Sequence, residues 1–144
     1  MGNRRLERGS VLMLVPAAIL VLVILGSIAV DSSLAFLGQR ALNNFTSDAA
    51  NSAASAALDP AAFYTSGRIV IDPQRADDIA ATLAQHVGGG VRDLSFTVTT
   101  SANAVTVTAV GTVDDLFAHA IPGVRHSWKV RATSTATARQ VAGS

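Results

Sequence analysis

The sequence predicts an α+β protein: one long N-terminal helix, transmembrane in its first part and a stalk in its second, then a small antiparallel sheet with one packed helix. Three observations carry that expectation. Val11 to Val30 is a run of twenty residues without a charge. Apolar residues then recur at helical spacing as far as Leu58. Beyond residue 90, apolar residues alternate with Thr and Ser in three segments, which is the period of a half-buried strand.

The apolar run matches the roughly 20 residues that a helix needs to cross the hydrocarbon of a bilayer. Arg4, Arg5 and Arg8 precede it and Asp31 follows it. The positive-inside rule puts residues 1–9 in the cytoplasm, residues 10–30 in the membrane and the rest outside. The rival expectation is a cleaved secretory signal, with small residues at Ser27 and Ala29. Against it, the apolar run exceeds the usual signal core of about 7–15 residues, and the helical pattern continues past Ala29. Pro16, one turn into the span, removes a hydrogen bond, which membrane helices tolerate.

Residues 31–59 read as an extracytoplasmic helical stalk. Leu34, Leu37, Ala41, Phe45, Ala49 and Ala53 recur every three or four residues and form one apolar face, which Ala56 continues. The stretch Ala49 to Leu58 is rich in Ala, the best helix former. Asp59-Pro60 ends the pattern, because Pro disfavours helix at the residue before it. The narrow stripe suits close packing, either on helices of other subunits or on the chain's own head.

The head, residues 60–144, is small enough to have a marginal core. Arg68-Ile69-Val70-Ile71 suits a short strand. Asp72-Pro73 starts a helix, Asp as N-cap and Pro at the first position. Ala76, Ile79, Ala80, Leu83 and Val87 form its apolar face, and Gly88-Gly89-Gly90 caps it. Leu94, Phe96 and Val98, a turn at Ser101 to Ala104, and Val105, Val107 and Ala109 make an antiparallel hairpin. Asp114 to Ile121 is expected as a short helix or ordered loop. Trp128, Val130, Ala132, Ser134 and Ala136 mark the buried side of a last strand, with Trp128 expected in the core. Its other side is Thr-rich and basic, at Lys129 and Arg131.

A net charge of +1 gives no pull toward nucleic acid, and the absence of Cys excludes disulfides and thiolate metal sites. No catalytic constellation assembles. His119 and His126 flank Pro122-Gly123 near Asp114 and Asp115, yet their spacing matches no zinc pattern. No Ser sits in a nucleophile elbow. The glycine run follows a helix, whereas phosphate binding uses a helix start. The expectation is therefore a non-enzymatic chain with no cofactor and no metal.

Several segments together resemble the TadE/TadG-like proteins, minor pilins or assembly proteins of the tight-adherence (Flp, type IVb) pilus system. They are Arg8-Gly9-Ser10, the apolar run with its early Pro16, Val30-Asp31, Arg40-Ala41-Leu42-Asn43-Asn44, and Asp48-Ala49-Ala50-Asn51-Ser52-Ala53-Ala54. The resemblance implies a pilin-like fold. It also implies a structural role, with the long helix inserted among pilin helices or beside the assembly machinery. A prepilin-type cleavage would fall between Gly9 and Ser10. There the chain departs from the common prepilin pattern, since the fifth mature position would be Leu14 instead of Glu.

The partners expected are thus the membrane and other pilin or pilus-assembly subunits, with contact through the face at Leu34, Leu37, Ala41, Phe45, Ala49 and Ala53. The alternative is a membrane-anchored or secreted binding module unrelated to pili, using the strand face at Lys129 and Arg131. A small exported enzyme is the third expectation, and it requires the histidines to converge on Asp114 or Asp115.

Overall fold

A computed structural model describes residues 7–117 and 127–138, with side chains from Leu14 onward. Helix α1, Glu7–Ala56, is one element of 50 residues. At a rise of about 1.5 Å per residue it is about 75 Å long. It runs without interruption through Pro16, Gly26 and Gly38. No break falls at any of these residues.

Asp59, three residues beyond the end of α1, opens another helix. Its carboxylate accepts the backbone N–H of Ala61 at 2.9 Å and of Ala62 at 3.4 Å, capping α2, Pro60–Ser66. Asp59-Pro60 is thus a helix start as well as the expected stop. Asp72 repeats the device, accepting from Gln74 N–H at 2.9 Å and Arg75 N–H at 3.4 Å to start α3, Pro73–Ala84. Here the expected N-cap and first-position Pro stand as read.

Two local expectations are corrected. Residues 68–71 form no strand of the sheet. They make one antiparallel bridge, Ile71 with Leu58, flanked by Asp59 N–H to Val70 O at 2.9 Å and Asp72 N–H to Ala57 O at 2.7 Å. The run is β-branched, but its backbone partner is the tail after α1, which is too short to build a ladder. The glycine run does not cap α3 either. The cap is Gln85, in the right-handed conformation. Gly89 and Gly90 take positive φ, 72° and 71°, in the turn into the first strand.

The sheet has three antiparallel strands in the order β1 (Val91–Thr100), β2 (Ala104–Asp114) and β3 (Ser127–Thr137). Between β1 and β2 the register slips between Arg92 and Ser95, so that Asp93 and Leu94 together oppose Gly111. The bulge puts both Val91 and Leu94 on the inner face, and Asp93 adopts φ 49° to make it. Gly111 is required there, because a Cβ would collide with Val91.

Helices α1 and α3 lie on the same face of the sheet, α1 across β2 and β3, α3 beside it toward β1. Between them sit Leu42, Phe45, Ala49, Ala53, Ala76, Ala80, Val105, Val107, Val113 and Val130, all buried. Phe45 and Phe96 meet edge to face with centroids 5.8 Å apart. Such a pair is worth about 0.5–1.5 kcal/mol beyond its buried area. Thr46 is fully buried, but its hydroxyl reaches Asn43 O at 3.1 Å and Ser134 Oγ at 3.0 Å. The polar side chain of Thr46 thus sits in the apolar core with its hydroxyl satisfied.

Candidate functional site

The candidate sites among the described residues are surfaces. The first is α1 itself. From Leu14 to Leu25 its side chains are exposed on every side. The segment is long and apolar enough to cross a membrane, and the head covers none of it.

The apolar face read from the sequence is divided by the head. Phe45, Ala49 and Ala53 are buried against the chain's own sheet and α3. Leu34 and Ala41 are half-buried, and Leu37 is exposed. Of the six residues, Leu37 therefore remains most available to another chain. Phe36, which the spacing did not single out, is exposed beside it. The buried stripe is also wider than read. It takes in Leu42, Ala50, Ala54 and Ala57, because the sheet covers one flank of α1 and α3 the other.

Small residues set how closely these elements approach. A Cβ on Gly38 would collide with the Val113 side chain of β2. A Cβ on Gly89 would lie 2.8 Å from Ala41 Cβ and 2.9 Å from Leu37 O. The backbone of α1 is thus in direct contact with the end of β2 on one flank and the α3–β1 turn on the other.

The second surface is the end of the sheet nearest the apolar run. Asp31, the first charge after that run, accepts the backbone N–H of Leu116 at 2.9 Å and of Phe117 at 3.1 Å. This fastens the chain following β2 to α1. The Asp115 carboxylate accepts the indole N–H of Trp128 at 2.7 Å. Trp128 has the parity of the inner face and pairs with Val113 across the strands. It is nevertheless exposed, which corrects its expected place in the core. It sits at the strand's first turn of alternation, where the inner face overhangs the helices that cover it.

The third surface is the outer face of the sheet. Thr106 and Thr135 join hydroxyls at 2.8 Å, and Thr108 and Thr133 at 3.1 Å. Cross-strand pairs of this kind contribute about 0.2–1 kcal/mol each. Lys129 and Arg131 are exposed on this face. Arg92 pairs with Asp114 at 2.7 Å at its other side, an exposed ion pair of little energetic weight.

Chemistry is sparse. Among the described residues no group of three or more His, Cys, Asp or Glu side chains could hold a metal ion. His86, in the turn after α3, lines a shallow groove of about 270 Å³ between α1 and α3 with Asp48 and Asn44, and its Nδ1 lies 3.2 Å from Thr82 O in the last turn of α3. A second groove, lined by Leu58, Pro60, Phe63, Tyr64 and Val70, lies at the opposite end of the head. His119, His126 and the turn at Pro122-Gly123 lie outside the described residues, as do residues 118–121 of the segment expected as helix or loop, whose first residue, Asp114, ends β2. Gly9 and Ser10 fall within α1 by backbone, with side chains outside the description.

Comparison with family models, with curated proteins and with solved structures finds no match.

Proposed function

We propose that this chain is a non-enzymatic minor pilin or pilus-assembly accessory of the tight-adherence type, anchored by residues 10–30 with its N-terminus in the cytoplasm. The observation that carries the reading is the division of labour along α1. One helix is apolar and uncovered in its first half and carries a small α+β head on its second. This arrangement supports the pilin-like reading, because such a helix is able to sit in a bilayer or among neighbouring helices.

The motif behind the resemblance also has a physical reason here. In Asp48-Ala49-Ala50-Asn51-Ser52-Ala53-Ala54, all four Ala are buried while Asp48 and Asn51 are exposed. Four small residues let a helix lie flush against a sheet on one flank and a second helix on the other. The motif therefore builds the joint between stalk and head.

The test uses residues that face outward. A photo-crosslinker at the exposed position Phe36 is expected to capture a second pilus component in native membranes, and Leu37→Asp to abolish that capture with the head still folded. Unchanged capture and fibre assembly in Leu37→Asp would remove helix packing as the mechanism. The intact mass of the mature protein decides processing: loss of residues 1–9 supports a pilin, and an uncleaved chain supports an anchored accessory.

The exposed Lys129 and Arg131 on a polar sheet face favour a second reading, an anchored binding module. A ligand-dependent rise in Tm that Lys129→Glu with Arg131→Glu removes would support it.

A further inference from the structure

Three exposed apolar side chains gather at the end of the head nearest the apolar run: Leu116 at 63%, Phe117 at 43% and Trp128 at 57% exposure. Two independent measures give their height along α1. The first is direct. Asp31 holds the backbone N–H groups of Leu116 and Phe117, so these residues lie level with the first residue after the uncharged run.

The second comes from β3. Gln39 Nε2 donates to Arg131 O at 2.7 Å, and Thr46 Oγ1 meets Ser134 Oγ at 3.0 Å. Seven helix residues rise about 10 Å and three strand residues about 10 Å, so β3 runs alongside α1 in the same direction. Three more strand residues back, about 10 Å, bring Trp128 level with roughly residue 32 of α1. Both measures place the cluster where the apolar run ends.

We infer that Leu116, Phe117 and Trp128 form an interfacial anchor that seats the head on the surface of the bilayer that α1 crosses. The inference rests on the proposal that residues 10–30 span that bilayer. The composition fits the site. Aromatic residues, Trp above all, favour the headgroup level, where a ring can be buried and its polar edge still bonded. The indole N–H of Trp128 already has Asp115 as acceptor. Lys129, next along and exposed on the opposite face, has a long stem that can reach lipid phosphates. The anchor fixes the tilt of the head, because it adds a second contact beside the helix. The Asp31 bonds then act as a brace, keeping the apolar loop at membrane height.

Trp128 is the only Trp of the chain, so it reports on itself. The experiment uses the full-length protein in phosphatidylcholine vesicles. Lipids brominated near the headgroup end of their chains are expected to remove about half of its fluorescence, more than deeply brominated lipids do. Acrylamide in the water is expected to quench it weakly. The control carries Leu22→Trp in a Trp128→Phe background, and deep bromines are expected to quench it.

Quenching of the control without quenching of Trp128 would overturn the anchor and leave the spanning helix intact. Trp128 shielded from acrylamide yet untouched by bromines would assign the patch to a second copy of the chain, and the lipid assignment falls. Failure of both probes would overturn the spanning reading, and the anchor with it.

Discussion

The two halves of α1 are one helix whose surfaces suit two different solvents. Leu14 to Val30 is far more apolar than Leu34 to Ala56, yet it is the apolar half that stays uncovered and the Ala, Ser and Asn-containing half that forms the core. A water-soluble protein would arrange them the other way, since hydrophobic burial is proportional to apolar area removed from water. The difference shows that apolarity and core formation are separate properties here. The first half is suited to hydrocarbon, where large side chains all round cost nothing. The second half is suited to protein, where small side chains permit close approach.

Substitutions should therefore dissociate the two halves. The largest effect is expected at Phe45→Ala, which removes the edge-to-face partner of Phe96 and should cost the head about 3–5 kcal/mol. Denaturant unfolding of the full-length protein in micelles measures it, and Leu22→Ala in the same assay should leave the head unchanged. The converse change is Leu22→Asp, which should cost membrane insertion about 3–4 kcal/mol with no change in unfolding of the head. An insertion assay in microsomes reads that loss directly.

The comparison sharpens at the two glycines of the helix. Gly26 has open space around it, so Gly26→Ala should be neutral or gain about 1 kcal/mol in helix propensity. Gly38→Ala has the same propensity gain but meets Val113, and should destabilise the head by about 1–3 kcal/mol. Combined with Val113→Ala it should cost less than the sum of the two single changes, as expected of residues in contact.

A smaller effect is expected at the junction. Asp31→Ala removes one acceptor from two backbone N–H groups at a partly exposed site, and should cost about 1 kcal/mol. Faster hydrogen exchange confined to the Leu116 and Phe117 amides would locate it. The smallest is on the outer face, where Thr106→Ala should shift stability by less than about 1 kcal/mol.

Much of this architecture was legible in the sequence. Asp72-Pro73, the hairpin alternation and the long helical period each report a local preference that the tertiary structure keeps. The buried stripe of α1 was read one flank too narrow. Between Ala49 and Ala57 small residues occupy nearly every face, so no period distinguishes Ala50 and Ala54, which are buried, from Ala56, which is exposed. Only the position of α3 decides it. Helix α2 was missed although Asp59-Pro60 carries the same signal as Asp72-Pro73, because the pair was read only as a terminator. Trp128 shows the limit of alternation: parity named its face correctly, but not how far along the sheet the helical cover extends. The role of Asp31 left no local trace, since its partners lie 85 and 86 residues away.

The central claim is that α1 changes solvent near Asp31. The chain has no Cys, so single-cysteine variants along α1 can be labelled cleanly. In sealed vesicles reconstituted with the full-length protein, a membrane-impermeant maleimide is the probe. The account predicts rapid labelling at Arg40→Cys, Asn44→Cys and Asn51→Cys, and protection at Ala18→Cys, Leu22→Cys and Leu25→Cys. Labelling at Leu22→Cys as fast as at Asn51→Cys would contradict it.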